Sequence, residues 1–259
     1  MLLELLRSLT AEDWEKQTVS RKWKVKDVAA HLLDTPLRGV SIARDGYLPE
    51  APRISSSVEL AAYINRLNEE GVRLYRRLSP AVLISLMQVA SQLLADYHRS
   101  RDPDGNAPYG VSWAGEEKSA NWFDTAREFT ERWHHQQQIR DASGRPGLYE
   151  ARLFAPVLDA FVRALPHTFC DVHAAEGTAV QITISGPAGG EWVVRRAAGP
   201  WELLVGRSPE AAGEVVLAGE DAWKIFTRGI RGDDAMRCAK ISGNRALAFK
   251  VLEMVSVIA

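Results

Sequence analysis

The sequence predicts a helical bundle over residues 1–147 followed by an α+β domain with a mainly antiparallel sheet over 148–259. Three observations point there. Apolar residues recur three and four apart through the first 145 or so positions, the signature of helices with one buried face. After Ser143-Gly144-Arg145-Pro146-Gly147 the pattern changes to short β-branched runs separated by Gly/Pro turns. A length of 259 residues, at about 150 per domain, gives about 1.7 domains.

The elements follow in order. Leu2, Leu3, Leu5, Leu6 and Leu9 make a short amphipathic start, and Thr10 before Ala11-Glu12-Asp13 is an N-cap followed by first-turn acids, so a helix should restart there. A second helix begins near Lys26 and carries Val28, Ala29, His31 and Leu32, with Pro36 expected to kink or break it. A Pro/Ser-rich turn spans 48–57, and Ser56 with Glu59 forms a capping box for a third helix that buries Leu60, Ile64, Leu67, Leu74 and Leu78. Ser79-Pro80 opens a fourth helix, with Val82, Leu83, Leu86, Val89, Ala90, Leu93, Leu94 and Tyr97 at helical spacing. Residues 102–120 form the longest irregular connection, and a loop of that length is expected to be functional or disordered. A fifth helix runs from Asn121 to about Ala142, with Trp122, Phe123, Ala126, Phe129, Thr130 and Trp133 on its apolar side.

Beyond the linker one helix, about 151–165, precedes strand-like runs at Ala179–Ser185, Glu191–Arg196, Trp201–Val205 and Glu214–Leu217. Helices return at about 221–227 and 246–257.

Composition narrows the function classes. Thirty-two Lys+Arg against 33 Asp+Glu leave a formal net charge of -1, which gives no reason to expect nucleic acid or an anionic membrane as partner. No stretch approaches the roughly 18 uncharged apolar residues of a membrane span. Met-Leu-Leu-Glu-Leu-Leu-Arg has no basic segment ahead of its apolar run, so no secretory signal is read there and a cytoplasmic setting is expected. Cys170 and Cys238 are too far apart for a CxxC pair and too few for a disulfide framework; both are expected to be buried small apolar residues. A metal site must therefore use His, Asp or Glu.

Six histidines are present. On the fifth helix Glu131 and His135 lie four apart, so their side chains share a face. Such a pair also arises by chance and ends as a solvated contact. His31 stands where a core residue belongs, and a neutral imidazole there needs partners for both ring nitrogens. A metal plus an acceptor such as Asp27 satisfies them; so does a hydrogen bond to a carbonyl in an ordinary core. His98, His167 and His173 have no partner at ligand spacing and read as surface or satisfied histidines.

Trp23-Lys-Val-Lys-Asp-Val-Ala-Ala-His31-Leu32 and Glu131-Arg-Trp-His134-His135-Gln-Gln-Gln138-Ile139 resemble the two signature segments of the DinB-like four-helix bundles, in particular the mycothiol-dependent maleylpyruvate isomerase branch. The resemblance implies that His31, Glu131 and His135 are metal ligands, that His134 is a neighbouring non-ligand, and that Gln138 matches a Gln often found there. It extends more loosely to the C-terminal half, which looks like the sterol-carrier-like domain of that branch. It further implies a divalent ion, zinc by the donor set, with a coordination position left open for the sulfur of a low-molecular-weight thiol such as mycothiol. The metal would lower the thiol pKa, and the thiolate could add to an activated double bond and leave, giving isomerisation, or stay attached, giving S-transfer.

An anionic small-molecule substrate would need a cation, and Arg228, with Arg231, is the candidate from the second domain. The loop at 102–120, with Tyr109 and Trp113, could wall the site or be an ordinary surface loop. Two other functions stay open on sequence: a binding protein holding an apolar ligand against strand residues such as Ile182, Ile184, Val194, Leu203 and Val216, or a hydrolase using a metal-bound water.

Overall fold

The structure is a computed structural model describing residues 1–49 and 52–257; positions 50 and 51 of the expected 48–57 turn lie outside the described residues. The chain divides into two compact units. The first comprises Met1–Pro108, Ala120–Thr125 and Glu131–Gly147, and the second Tyr109–Ser119, Ala126–Thr130 and Leu148–Ala259.

The first unit is helical. Helix α1 (Leu2–Arg7) turns its buried Leu5 and Leu6 into the core. Thr10 Oγ1 accepts from the Asp13 amide and Asp13 Oδ2 from the Thr10 amide, so Thr10 caps as expected and Asp13 reciprocates. Only a single 3₁₀ turn at Asp13–Glu15 follows, so the expected helix does not restart there.

Helix α2 (Val25–Ala43) is the central element, packed on α3 (Ser57–Tyr75) and α4 (Pro80–Arg99). Pro36 neither breaks nor ends it: the buried proline sits inside the helix. The Leu32 carbonyl loses one amide partner there, and flanking residues buried on both neighbours carry the helix through. The core joins Leu6, Val28, Leu32, Leu83, Met87 and Ile139 from α1, α2, α4 and α5 (Asn121–Ser143). Helix α5 ends on Gly144 in the left-handed conformation, with the Arg145 amide donating to the Arg140 carbonyl, so the Gly acts as a Schellman stop.

The apolar stripes are wider in sequence than in burial. Leu74 on α3 is 54% exposed while Val72 is buried, and Val82, Leu86 and Val89 on α4 face out. Ser56 caps the Glu59 amide as expected, but the Glu59 carboxylate turns to Ser55 and leaves the box half made.

In the second unit, α6 (Ala151–Val162) and α7 (Leu165–Thr168) replace the single helix expected over 151–165, the break falling just before Pro166. Strands β1 (Ala179–Ser185), β2 (Gly190–Arg196), β3 (Trp201–Val205), β4 (Gly213–Ala218) and β5 (Ala239–Gly243) form one sheet in the order β3-β2-β1-β4-β5. All neighbours are antiparallel except β1 and β4, which pair parallel from Val180–Gly213 to Ser185–Ala218. Val180, Ile182 and Ile184 share a face of β1 with Val215 and Leu217 of β4, covered by α8 (Gly219–Phe226) and α10 (Arg245–Leu252). Strand β5 and the intervening α9 (Gly232–Cys238) are additions to the elements expected from sequence. The last helix ends at Leu252, short of the expected 257, and the tail docks through Ser256, which bonds the Phe226 and Phe161 carbonyls.

The long connection is ordered. Val111 and Trp113 are buried, Ser119 Oγ accepts from the Val111 amide, and an isolated bridge joins Asn106 to Ala120. Tyr109 is exposed. Cys170 is exposed as well, contrary to expectation, because it follows the last turn of α7, whose buried Phe169 takes the core position.

Candidate metal centre

Helix α2 carries His31 and helix α5 carries Glu131 and His135, one turn apart. Glu131 Oε1 lies 3.2 Å from His31 Nε2 and 3.1 Å from His135 Nε2. One ligand atom from each of the three lies within 4.8 Å of the other two. Residues 100 positions apart in sequence thus converge at the contact between two bundle helices.

The side chains of His31 and His135 are 1% and 7% exposed, whereas a quarter of the Glu131 side chain remains accessible. Solvent therefore reaches the cluster from the carboxylate side. Trp23 covers the imidazoles, its ring centroid 4.8 Å from that of His31 and 5.8 Å from that of His135.

The protonation pattern is informative. Gln138 Oε1 can only accept, and it lies 2.9 Å from His135 Nδ1, so that nitrogen carries the proton. A neutral His135 then directs the Nε2 lone pair at another lone-pair atom, Glu131 Oε1. Two acceptors at that distance repel unless a cation or proton sits with them, so the donor set suits a divalent ion. Burial pushes His31 down to about 4, partly opposed by its bond to Glu131, which keeps the imidazole neutral and ligand-competent at neutral pH. Burial alone would raise the Glu131 carboxyl, but the charges of His135 and His134 in their protonated forms more than offset it and hold it well below its ordinary value. His134 Nδ1 is 3.8 Å from Glu131 Oε2, beside the triad and outside it.

Asp27 is not the acceptor for His31. Its carboxylate takes the Lys24 amide and, at 2.7 and 3.0 Å, the Arg76 guanidinium, tying α2 to the end of α3. His31 Nδ1 is buried with no hydrogen-bond partner.

Arg228 and Arg231 lie in the second unit. Arg228 follows α8 with φ 61°, the one non-glycine residue of positive φ among those described, and the Gly229 amide behind it donates to Lys224 O at 2.7 Å. Arginine thus occupies a helix-stop position that glycine usually fills. His98 bonds Thr125, His167 and His173 lie elsewhere, and none joins the triad. A cavity of about 460 Å³ in the second unit has a mixed lining, with Gln181, Arg207, Glu214 and Ser242 beside Pro209 and Ala211. Sequence reasoning does not find Trp23 as the cover of both imidazoles; its place at the head of the first signature segment is the available signal.

Fold and cluster together define a helical-bundle protein with a two-histidine, one-carboxylate candidate metal centre, joined to an α+β unit. The chain belongs to the mycothiol maleylpyruvate isomerase N-terminal domain family, whose profile matches residues 1–140. Among solved structures it is similar to a mycothiol-dependent maleylpyruvate isomerase (14% identity, TM-score 0.54) and to a histidine-to-alanine mutant of such an enzyme (13%, 0.53). Each alignment covers 93% of this chain and 87% of the other, so the shared fold includes both units. No curated protein matches the chain. Among the described residues no helix is long and apolar enough to cross a membrane.

Proposed function

We propose that the protein is a metal-dependent enzyme that uses a low-molecular-weight thiol, mycothiol or a relative, to isomerise or S-transfer a small electrophilic, anionic substrate. The observation carrying this reading is the convergence of His31 Nε2, Glu131 Oε1 and His135 Nε2 with the His135 tautomer set by Gln138. His31, Glu131 and His135 would hold the ion, zinc by its preference for imidazole and carboxylate. Bound there, it would favour the thiolate form of a thiol at neutral pH.

The chain supplies the rest. Trp23 shields the histidine side of the centre, and the accessible flank of Glu131 leaves an approach for thiol and substrate. Its two cysteines lie outside this cluster, which fits a nucleophile that arrives from outside the chain. Arg228, in the second unit, is proposed as a cation for a carboxylate, and its strained backbone position supports a role beyond folding.

The test is turnover of maleylpyruvate with mycothiol by the purified protein, alongside its metal content, before and after chelation and in His135→Ala. Turnover lost on chelation and restored by zinc supports the reading. Undiminished turnover in the metal-stripped protein overturns it.

A further inference from the structure

Three residues beyond the triad form a built polar cluster in the same helical unit. On α2, Asp34 and Arg38 follow His31 at i+3 and i+7, so all three lie along one face. Arg38 is not a solvated surface arginine: its side chain is 22% exposed. Its Nε donates to Asp34 Oδ2 at 3.1 Å and its Nη2 to Asn68 Oδ1 of α3 at 2.7 Å. Asp34 is itself mostly buried, its carboxylate seated where a side chain at Gly71 would stand. The guanidinium is thus held by two groups, and a fork of five N–H donors has capacity left for a further acceptor.

An arginine fixed in this way, two helical turns from a metal-type donor set, suits a planar carboxylate. We infer that Arg38 is the cation of an anion subsite next to the His31–Glu131–His135 centre, taking a carboxylate of the substrate, with Asp34 and Asn68 as the residues that position it. The inference rests on reading the triad as a substrate site.

The experiment is calorimetric titration of zinc-loaded full-length protein with maleate, and with dimethyl maleate as the neutral probe. Wild type should bind maleate and not the ester. Arg38→Met should weaken maleate binding at least tenfold with zinc content unchanged, and Arg38→Lys should recover part of the loss. If Arg38→Met does not fold, Arg38→Lys carries the test: threefold or greater weakening supports the subsite, because lysine keeps the charge and loses the fork. Unchanged maleate binding in the variants, or no binding by wild type, overturns the inference. Turnover of maleylpyruvate is measured separately. Arg38-dependent maleate binding without turnover leaves the subsite standing and removes the isomerase reading; turnover with Arg38-independent binding does the reverse.

Discussion

Gln138 Oε1 accepts the His135 Nδ1 proton at 2.9 Å, one turn along α5, and so presents the His135 Nε2 lone pair to Glu131 and its surroundings. An imidazole whose far nitrogen is held this way is oriented before any ion arrives. Gln138→Leu removes the acceptor and leaves the triad intact. Zinc affinity, measured by competition with a chromophoric chelator, should fall roughly 10- to 100-fold, the usual cost of losing such a partner. Equal affinity in the variant would mean that Gln138 only fills space.

Removing a donor should cost more than removing its support. His31→Ala and His135→Ala each take one of three protein donors from the cluster. Neither should retain stoichiometric zinc after dialysis against a weak chelator, while wild type keeps about one equivalent per chain. Full occupancy in both variants would move the metal elsewhere.

The buried His31 also sets a pH dependence in the metal-free protein. Its pKa is pushed down to about 4, first by burial, from an ordinary 6.5. A depressed histidine contributes full stability above about pH 6.5, and the contribution is lost as pH falls from there to about 4, where the folded form also protonates. The loss is on the order of 3 kcal/mol for a shift of this size. Glu131, held below its ordinary range despite burial, adds a loss of the same sign at still lower pH. Urea midpoints of chelated wild type should therefore fall from pH 6.5 to 4 more steeply than those of His31→Gln. Parallel curves would contradict the assignment.

The bundle was legible because 3.6-residue periodicity and cap chemistry are local: Ser79-Pro80 and Gly144 bound their helices as read. Burial within those helices was less so. Leu74 and Val72 sit two apart on α3, and only the packing against α2 decides that Val72 is the one inside. Strand β5 escaped because its alternation is too short to stand out: only Ala239 and Ile241 are apolar in an edge strand that ends on Ser242 and Gly243. The triad was legible through the resemblance of two short segments, since spacing alone links Glu131 to His135 and says nothing of His31. The Arg38 cluster left only half a local signal, the Asp34–Arg38 pair four apart on α2; Asn68 comes from another helix, 30 positions on.

Arg228 offers a separation of stability from function. A non-glycine residue at φ 61° bears left-handed strain of about 1 kcal/mol, which glycine would relieve. Arg228→Gly should leave the melting midpoint unchanged or higher and reduce turnover of maleylpyruvate at least tenfold, chiefly through KM if the guanidinium binds a carboxylate. Full activity in that variant would leave the strained arginine without a role.

Two glycines of the bundle should respond in opposite ways to one added methyl group. At Gly71 on α3 a Cβ would stand 2.7 Å from Asp34 Oδ1 and closer to the rest of the carboxylate, in a buried helix contact. The neighbour is a short, mostly buried side chain already bonded to Arg38, so it has little freedom to withdraw. Gly71→Ala should cost about 1–3 kcal/mol as an overpacked contact. At Gly39, inside α2, a Cβ meets nothing within 4 Å, and φ lies outside the left-handed range. Gly39→Ala should stabilise by about 0.5–1 kcal/mol through helix propensity and the lower entropy of the unfolded chain. Urea denaturation of both variants measures the pair. Equal effects of one sign would show that the carboxylate yields, and with it the clamp that positions Arg38.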